Sequence, residues 1–249
     1  MLVVEDGTPE VVLEYPRAPS QAAWDALTEE ERAQVVESLP GEVTWNEMPM
    51  PEGDWHTGPR TYVWNVLRRY WAQQSRRAYV SSALPIYYPE EPRFAPDLLV
   101  VLDAENHRRN KWVCSAEAHG LDWVMEVHAG GERKTAAEEK VQRYARLGIP
   151  EYFILDGRDC TLACYRLATP DARVYTRLEP QRGRYVSKVL GLEFQTEGER
   201  LQLWTSATPL LSYKERILQL EEELQRRNNL ERRIKELEAE LARLKKSQG

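Results

Sequence analysis

Two carboxylates, Asp97 and Glu126, stand where a charge is hard to keep. Asp97 opens an apolar run that continues Leu98-Leu99-Val100-Val101-Leu102, and Glu126 lies near the end of another, Trp123-Val124-Met125-Glu126-Val127-His128. Short apolar runs bounded by polar turns read as buried strands. A charge isolated in such a sheet is strongly unfavourable unless it is paired, hydrated or bound to a cation. A divalent metal ion is the simplest partner for two acids placed at the ends of neighbouring strands.

The elements that must position these acids can be followed along the chain. Residues 1 to 18 read as an extended lead-in. From Pro19 to Ser38, Trp24, Leu27, Val35 and Val36 give a helix with Leu39 at its end; Thr28 and Glu31 have capping-box spacing that restarts it, and Pro40-Gly41 stops it. Glu42 to Asp54 is a turn-rich connection. After Pro59, the residues Val63, Leu67, Tyr70, Trp71 and Gln74 recur at three- and four-residue steps, the mark of an amphipathic helix.

Ala78 to Tyr88 alternates as a strand, Leu98 to Leu102 forms a second, and the polar, basic segment from Asp103 to Gly120 reads as a functional loop. Trp123 to His128 is the third strand. Gly130-Gly131 turns the chain into a helix from about Thr135 to Leu147, with Val141, Tyr144 and Leu147 inward and Gly148 as its cap before Pro150. Tyr152 to Leu155 is the fourth strand. The expected fold class is therefore α/β (α+β), a mixed sheet flanked by helices. Residues 157 to 204 alternate in short bursts and predict further antiparallel strands that extend the sheet or cap its edge.

The 249 residues suffice for a substantial core, and the 42% hydrophobic content with 30% charged residues is that of a soluble domain. No stretch is long and apolar enough to span a bilayer, and acids stand where a signal peptide needs basic residues, so a cytoplasmic location is expected. Cys114, Cys160 and Cys164 form no disulfide framework, in keeping with a reducing compartment. The net charge of −6 argues against a protein that coats nucleic acid, although Arg68-Arg69, Arg76-Arg77, His107 to Lys111 and Arg133-Lys134 form basic clusters able to line a groove.

The element order, with one acid at the start of the second strand and another on the third, resembles the core of the PD-(D/E)xK nuclease superfamily. More closely, the chain resembles the restriction endonuclease family named Uma. The likeness rests on Trp55-His56 ahead of the first core helix, Pro96-Asp97-Leu98-Leu99-Val100-Val101, Met125-Glu126-Val127, and Lys140 and Tyr144 within EEKVQRYARLGIPEYFILD. It covers roughly Leu27 to Leu167, with weaker similarity through VLGLEFQ to Trp204.

This resemblance implies a restriction-endonuclease-like core that hydrolyses DNA phosphodiester bonds with Mg²⁺, Mn²⁺ being a substitute. Asp97, Glu126 and the Val127 backbone carbonyl are the implied metal ligands, hard oxygen donors suited to such an ion. The ion would polarise the phosphate and acidify an attacking water. The superfamily commonly has a lysine two residues beyond the second acid; here that residue is His128. The family often carries the lysine on the following helix instead, where Lys140 lies, with Lys134 as a nearer alternative, and His56 matches a histidine that the family places before its first core helix. Ala136 stands where many members have an acid.

From Ser212 to Lys246 the chain lacks Gly and Pro. Ile217, Leu220 and Leu224, then Leu230, Ile234, Leu237, Leu241 and Leu244, form a coiled-coil seam on the order of 50 Å long. The ten-residue step from Leu220 to Leu230 exceeds a heptad by three and predicts local overwinding or a break around Arg226-Arg227-Asn228-Asn229. Three regions are expected: an N-terminal helical lead-in over 1–54, the nuclease-like domain over 55–205, and a dimerising coiled coil over 212–247. The leading expectation is a dimeric metal-dependent endonuclease. The other is a catalytically weak or inactive scaffold that binds nucleic acid, supported by His128, Ala136 and the acidic net charge.

Overall fold

The computed structural model describes residues 15–42 and 53–247. Most of the expected lead-in and of the turn-rich connection from Glu42 to Asp54 lies outside the described residues. In order, the elements are α1 (Gln21–Asp25), α2 (Glu29–Ser38), α3 (Asp54–Trp71), β1 (Ala78–Ser81), β2 (Ile86–Tyr87), β3 (Leu98–Leu102), β4 (Trp112–Val113) and α4 (Cys114–Glu117). There follow β5 (Trp123–His128), α5 (Gly131–Arg146), β6 (Glu151–Asp156), β7 (Thr161–Leu167), β8 (Tyr175–Arg177), β9 (Arg184–Ser187), β10 (Leu192–Glu197), β11 (Arg200–Trp204) and α6 (Tyr213–Ser247).

The main sheet has the order β1-β3-β5-β6-β7-β8. Only β5 and β6 run parallel in it, and α5 is the crossover that this pairing requires. Strands β3 and β5 are buried along their whole length because both faces are covered. On one face, Val63, Val66, Leu67 and Trp71 of α3 pack with Val100, Met125 and Phe153 of the sheet. On the other, Tyr144 and Ala137 of α5 pack with Leu99, Val124, Tyr152 and Ile154. The mixed sheet and flanking helices are those expected from the sequence. Thr28 does restart the chain as a separate helix: its side chain accepts from the Glu31 amide while the Glu31 carboxylate accepts from the Thr28 amide, at 3.3 and 2.8 Å.

Three local differences have physical causes. The strand expected from Ala78 to Tyr88 is two. β1 ends at Ser81, Ala83 turns at a φ of 52°, Pro85 has no ladder donor, and β2 pairs parallel with β4 away from the main sheet. Residues 157–204 divide as well: β7 and β8 extend the sheet, while β9, β10 and β11 form a second antiparallel sheet. That sheet covers a face rather than an edge, sending Leu192, Phe194, Leu201 and Leu203 into the core under α3.

The third difference concerns α3, which begins at Asp54, ahead of Pro59 rather than after it. His56 is thereby already helical. α6 starts with another reciprocal capping box, between Ser212 and Glu215, and continues as one helix of 35 residues. Among the described residues, no helix is long and apolar enough to cross a membrane.

Candidate active site

Alternation along β5 sets the direction of Glu126. Met125 and Val127 pack towards α3 and Val124 towards α5, so Glu126 faces α5. There its Oε1 accepts from Lys140 Nζ at 2.8 Å and from the Tyr144 hydroxyl at 2.9 Å. Lys140 and Tyr144 are one turn apart on α5 and so share its inner face. Both bonds go to the same oxygen; Oε2 makes no hydrogen bond among the described residues.

Asp97 fills the notch where β3 falls short of β5. The antiparallel register joins Leu98 to Met125, so Asp97, one residue ahead of β3, lies by the Glu126–Val127 end of β5, near enough for its charge to act on Glu126. Asp97 Oδ2 accepts from the Val127 amide at 2.9 Å. A strand residue's N–H and C=O lie on one side, so the Val127 carbonyl opens on the same notch. Asp97 Oδ1 is 3.0 Å from His56 Nε2 and 3.9 Å from Arg60. His56 and Arg60 are again one turn apart, on the inner face of α3.

Four polar side chains of this group are nearly inaccessible: His56, His128, Glu126 and Asp97 are 2%, 3%, 5% and 7% exposed. Burial pushes the Glu126 carboxyl above its ordinary range; the Lys140 ammonium draws it back and the Asp97 charge adds to the rise. Burial, reinforced by Glu126, also holds the Tyr144 hydroxyl well above the usual tyrosine range, which keeps it a donor. Because a carboxylate only accepts, His56 presents its proton to Asp97 from Nε2; its buried Nδ1 has no hydrogen-bond partner among the described residues. His128 Nδ1 accepts from the Gly130 amide at 3.1 Å and lies 3.5 Å from Asp156 Oδ2.

Of the residues singled out from sequence, Asp97, Glu126, His56, Val127 and Lys140 thus meet at one notch. His128 lies at the end of the same strand but is turned to Gly130 and Asp156. Arg60 was not singled out, although its four-residue spacing from His56 carried the signal. Among the described residues no group of three or more His, Cys, Asp or Glu side chains is placed to hold a metal ion by itself. A cation held here would take two carboxylates and a carbonyl and complete its shell from water and phosphate, a donor set that suits Mg²⁺. The basic clusters mostly do other work: Arg76, Arg77 and Arg109 are paired with Asp103, Glu105 and Glu117 at 2.7, 3.1 and 2.7 Å.

The model of the Uma2 family, described as "Putative restriction endonuclease", matches residues 22–202. The chain belongs to this family. Membership supports a nuclease, hence a hydrolase, as the class of activity, and the matched span contains every residue of the notch. The Uma2 chain is also similar to a solved structure titled as a "putative nuclease belonging to DUF820" from Anabaena variabilis, with 18% identity and a TM-score of 0.43, over 57% of this chain and 77% of that one. None of the curated proteins compared matches it.

Proposed function

We propose that this Uma2 chain is a divalent-metal-dependent endonuclease that hydrolyses DNA phosphodiester bonds, with its catalytic domain over 55–205 and two copies paired through 212–247. The observation that carries the reading is the pair Asp97 and Glu126, two buried acids at one notch kept together despite their repulsion, with one oxygen of Glu126 unbonded among the described residues. Asp97, Glu126 and the Val127 carbonyl would hold Mg²⁺ or Mn²⁺, which supplies Lewis-acid polarisation of the phosphate and a more acidic water.

The chain's own groups do the rest. His56 fixes the rotamer of Asp97 from one side as the Val127 amide does from the other, so the carboxylate is oriented before any substrate arrives. Lys140 and Tyr144 fix Glu126 in the same way, and the Lys140 ammonium is the positive charge that orients water or phosphate in the place of the lysine that His128 replaces. Arg60, a quarter exposed at its side chain, reaches from the notch towards solvent, where a phosphate oxygen would lie.

The alternative, a nucleic-acid-binding scaffold without turnover, is favoured by one fact: both acids already have hydrogen-bond partners within the chain, Glu126 with Lys140 and Asp97 with His56. Cleavage of plasmid and single-stranded DNA with Mg²⁺ or Mn²⁺ separates the two. The nuclease reading expects Asp97→Ala and Glu126→Ala each to lose more than about a hundredfold in rate, beyond the effect of removing an orienting neighbour. Calorimetric titration of Mg²⁺ should give heat with the native chain and none with Glu126→Ala. Equal, negligible heats and no cleavage by any form would leave the scaffold.

A further inference from the structure

Helix α6 carries more information than an apolar stripe. Ile217 to Lys245 is exposed throughout, with Leu220 and Leu237 each 47% exposed, so the seam is not covered by the chain's own domain. Exposed leucines at heptad spacing over such a length are covered by another helix. Which helix, and in which direction, is written in the charges beside the seam.

We infer that the occupant is α6 of a second copy, in parallel and in register. The inference rests on the pairing proposed above and adds its geometry. With Ile217 and Leu224 at a and Leu220 at d, and after the shift Ile234 and Leu241 at a and Leu230 and Leu237 at d, the flanking g and e positions are fixed. In a parallel pair each g residue faces the e residue of the next heptad on the other copy. Arg216 then faces Glu221, Arg226 faces Glu231, Arg233 faces Glu238 and Glu240 faces Lys245; the remaining pair, Glu223 with Asn228, has no repulsion.

The antiparallel alternative aligns the outer seam positions, setting Ile217 on Leu244, Leu220 on Leu241 and Leu224 on Leu237, but sets the seam residue Arg227 on Ile234. Its flanks fail. Arg226 would lie beside Arg233, Glu223 beside Glu240 and Glu221 beside Glu238, all like charges. The leucine and isoleucine pairs alone do not choose between the directions; the flanking charges and the seam arginine do.

Register is set where the repeat shifts. Leu224, Arg227 and Leu230 follow at three-residue steps, so Arg227 enters the seam. In register it meets its own copy, its long stem carrying the guanidinium outward to Glu231, already 3.6 Å away on the same helix. In a slipped pair it would be set against leucine. A polar seam position of this kind costs stability and fixes register. Since α6 leaves the domain at its N-terminal end, a parallel pair brings both folded domains, and both notches, to one end of the coil.

The test uses the full-length chain. Leu237→Cys places a thiol at d, while the native Cys114, Cys160 and Cys164 are buried and do not cross-link copies. Parallel, in-register pairing predicts a dimer by sedimentation and, under mild oxidation, a near-complete disulfide between the two introduced thiols. Charge reversal gives a second readout. Glu231→Lys with Glu238→Lys should weaken the dimer about tenfold or more, and adding Arg226→Glu with Arg233→Glu should restore it. An antiparallel pair would instead be tightened by the first two changes. A dimer that neither cross-links nor weakens overturns the parallel geometry and leaves pairing intact. A monomer overturns both, and a larger assembly overturns the two-stranded coil.

Discussion

Pro59 has no amide hydrogen, so the carbonyl of Trp55, one turn earlier in α3, has no helical donor. That carbonyl lies against Gly157, where a Cβ would come within 1.7 Å of it. Gly157 in turn donates to the His128 carbonyl at 2.6 Å, so the first turn of α3, the end of β5 and the end of β6 are locked at one point. Gly157→Ala must push the turn that carries His56 and Arg60 away from Asp97. A destabilisation of about 1–3 kcal/mol by urea titration is expected, with an altered His56 ring signal by NMR, and an unchanged ring would refute the coupling. A second prediction concerns Glu126. Its carboxyl titrates above its ordinary range when folded, so its contribution to stability is full in acid and is lost as pH rises from the ordinary glutamate range through the raised one. The stability of the native chain relative to Glu126→Gln should therefore fall from acid towards neutral pH in metal-free urea titrations, and a flat difference would contradict it. The acids were legible in sequence because charge inside an apolar run is conspicuous. Arg60 and Gly157 were not, because an arginine on a helix and a glycine after a strand look ordinary until Pro59 is seen to lie within the helix.

At the scale of elements, Glu151 joins the two sheets. It opens β6, is fully buried, and accepts from Arg166 of β7 at 2.6 Å, from Ser187 at the end of β9, and from the Lys188 amide at 2.9 Å. A buried acid with every partner in place is costly to remove, because the arginine is left uncompensated. Glu151→Ala should destabilise the protein by about 3–5 kcal/mol, and hydrogen exchange should show the amides of β9 to β11 opening first. Uniform opening would mean that apolar packing of Phe194 and Leu203 alone holds the second sheet. Strands β3, β5 and β6 could be read from the chain because burial on both faces makes each a continuous apolar run. The second sheet could not: its alternating strands were visible as strands, but what seats them on the main sheet is a contact between Glu151 and Ser187, far apart in sequence and unremarkable in each place. The break between β1 and β2 depended on a positive φ at Ala83, which alanine does not announce.

At the scale of the whole molecule, the question is how a long exposed helix is tied to a folded domain. Among the described residues α6 is tied to the domain at its root: Arg69 donates to the Leu211 carbonyl at 2.8 Å, Gln202 to the Leu210 carbonyl at 2.7 Å, and Arg200 pairs with Glu215 at 3.0 Å. Among the described residues none past that root contacts the notch, so pairing and chemistry should separate cleanly. Ile234→Lys puts a charge at the centre of the seam and should give a monomer by sedimentation, while the thermal transition of the domain stays in place. The monomer retains one complete notch and should still nick one strand of a supercoiled plasmid. The proposed symmetric pair would present two notches to the two strands of a duplex, and the variant would lack the second. Open-circular plasmid should therefore accumulate, and the linear form, which needs both strands cut close together, should fall at equal nicking rate. If the linear form appears as fast with the monomer as with the native chain, the two sites act independently and the coil serves some other end than joining them on one duplex.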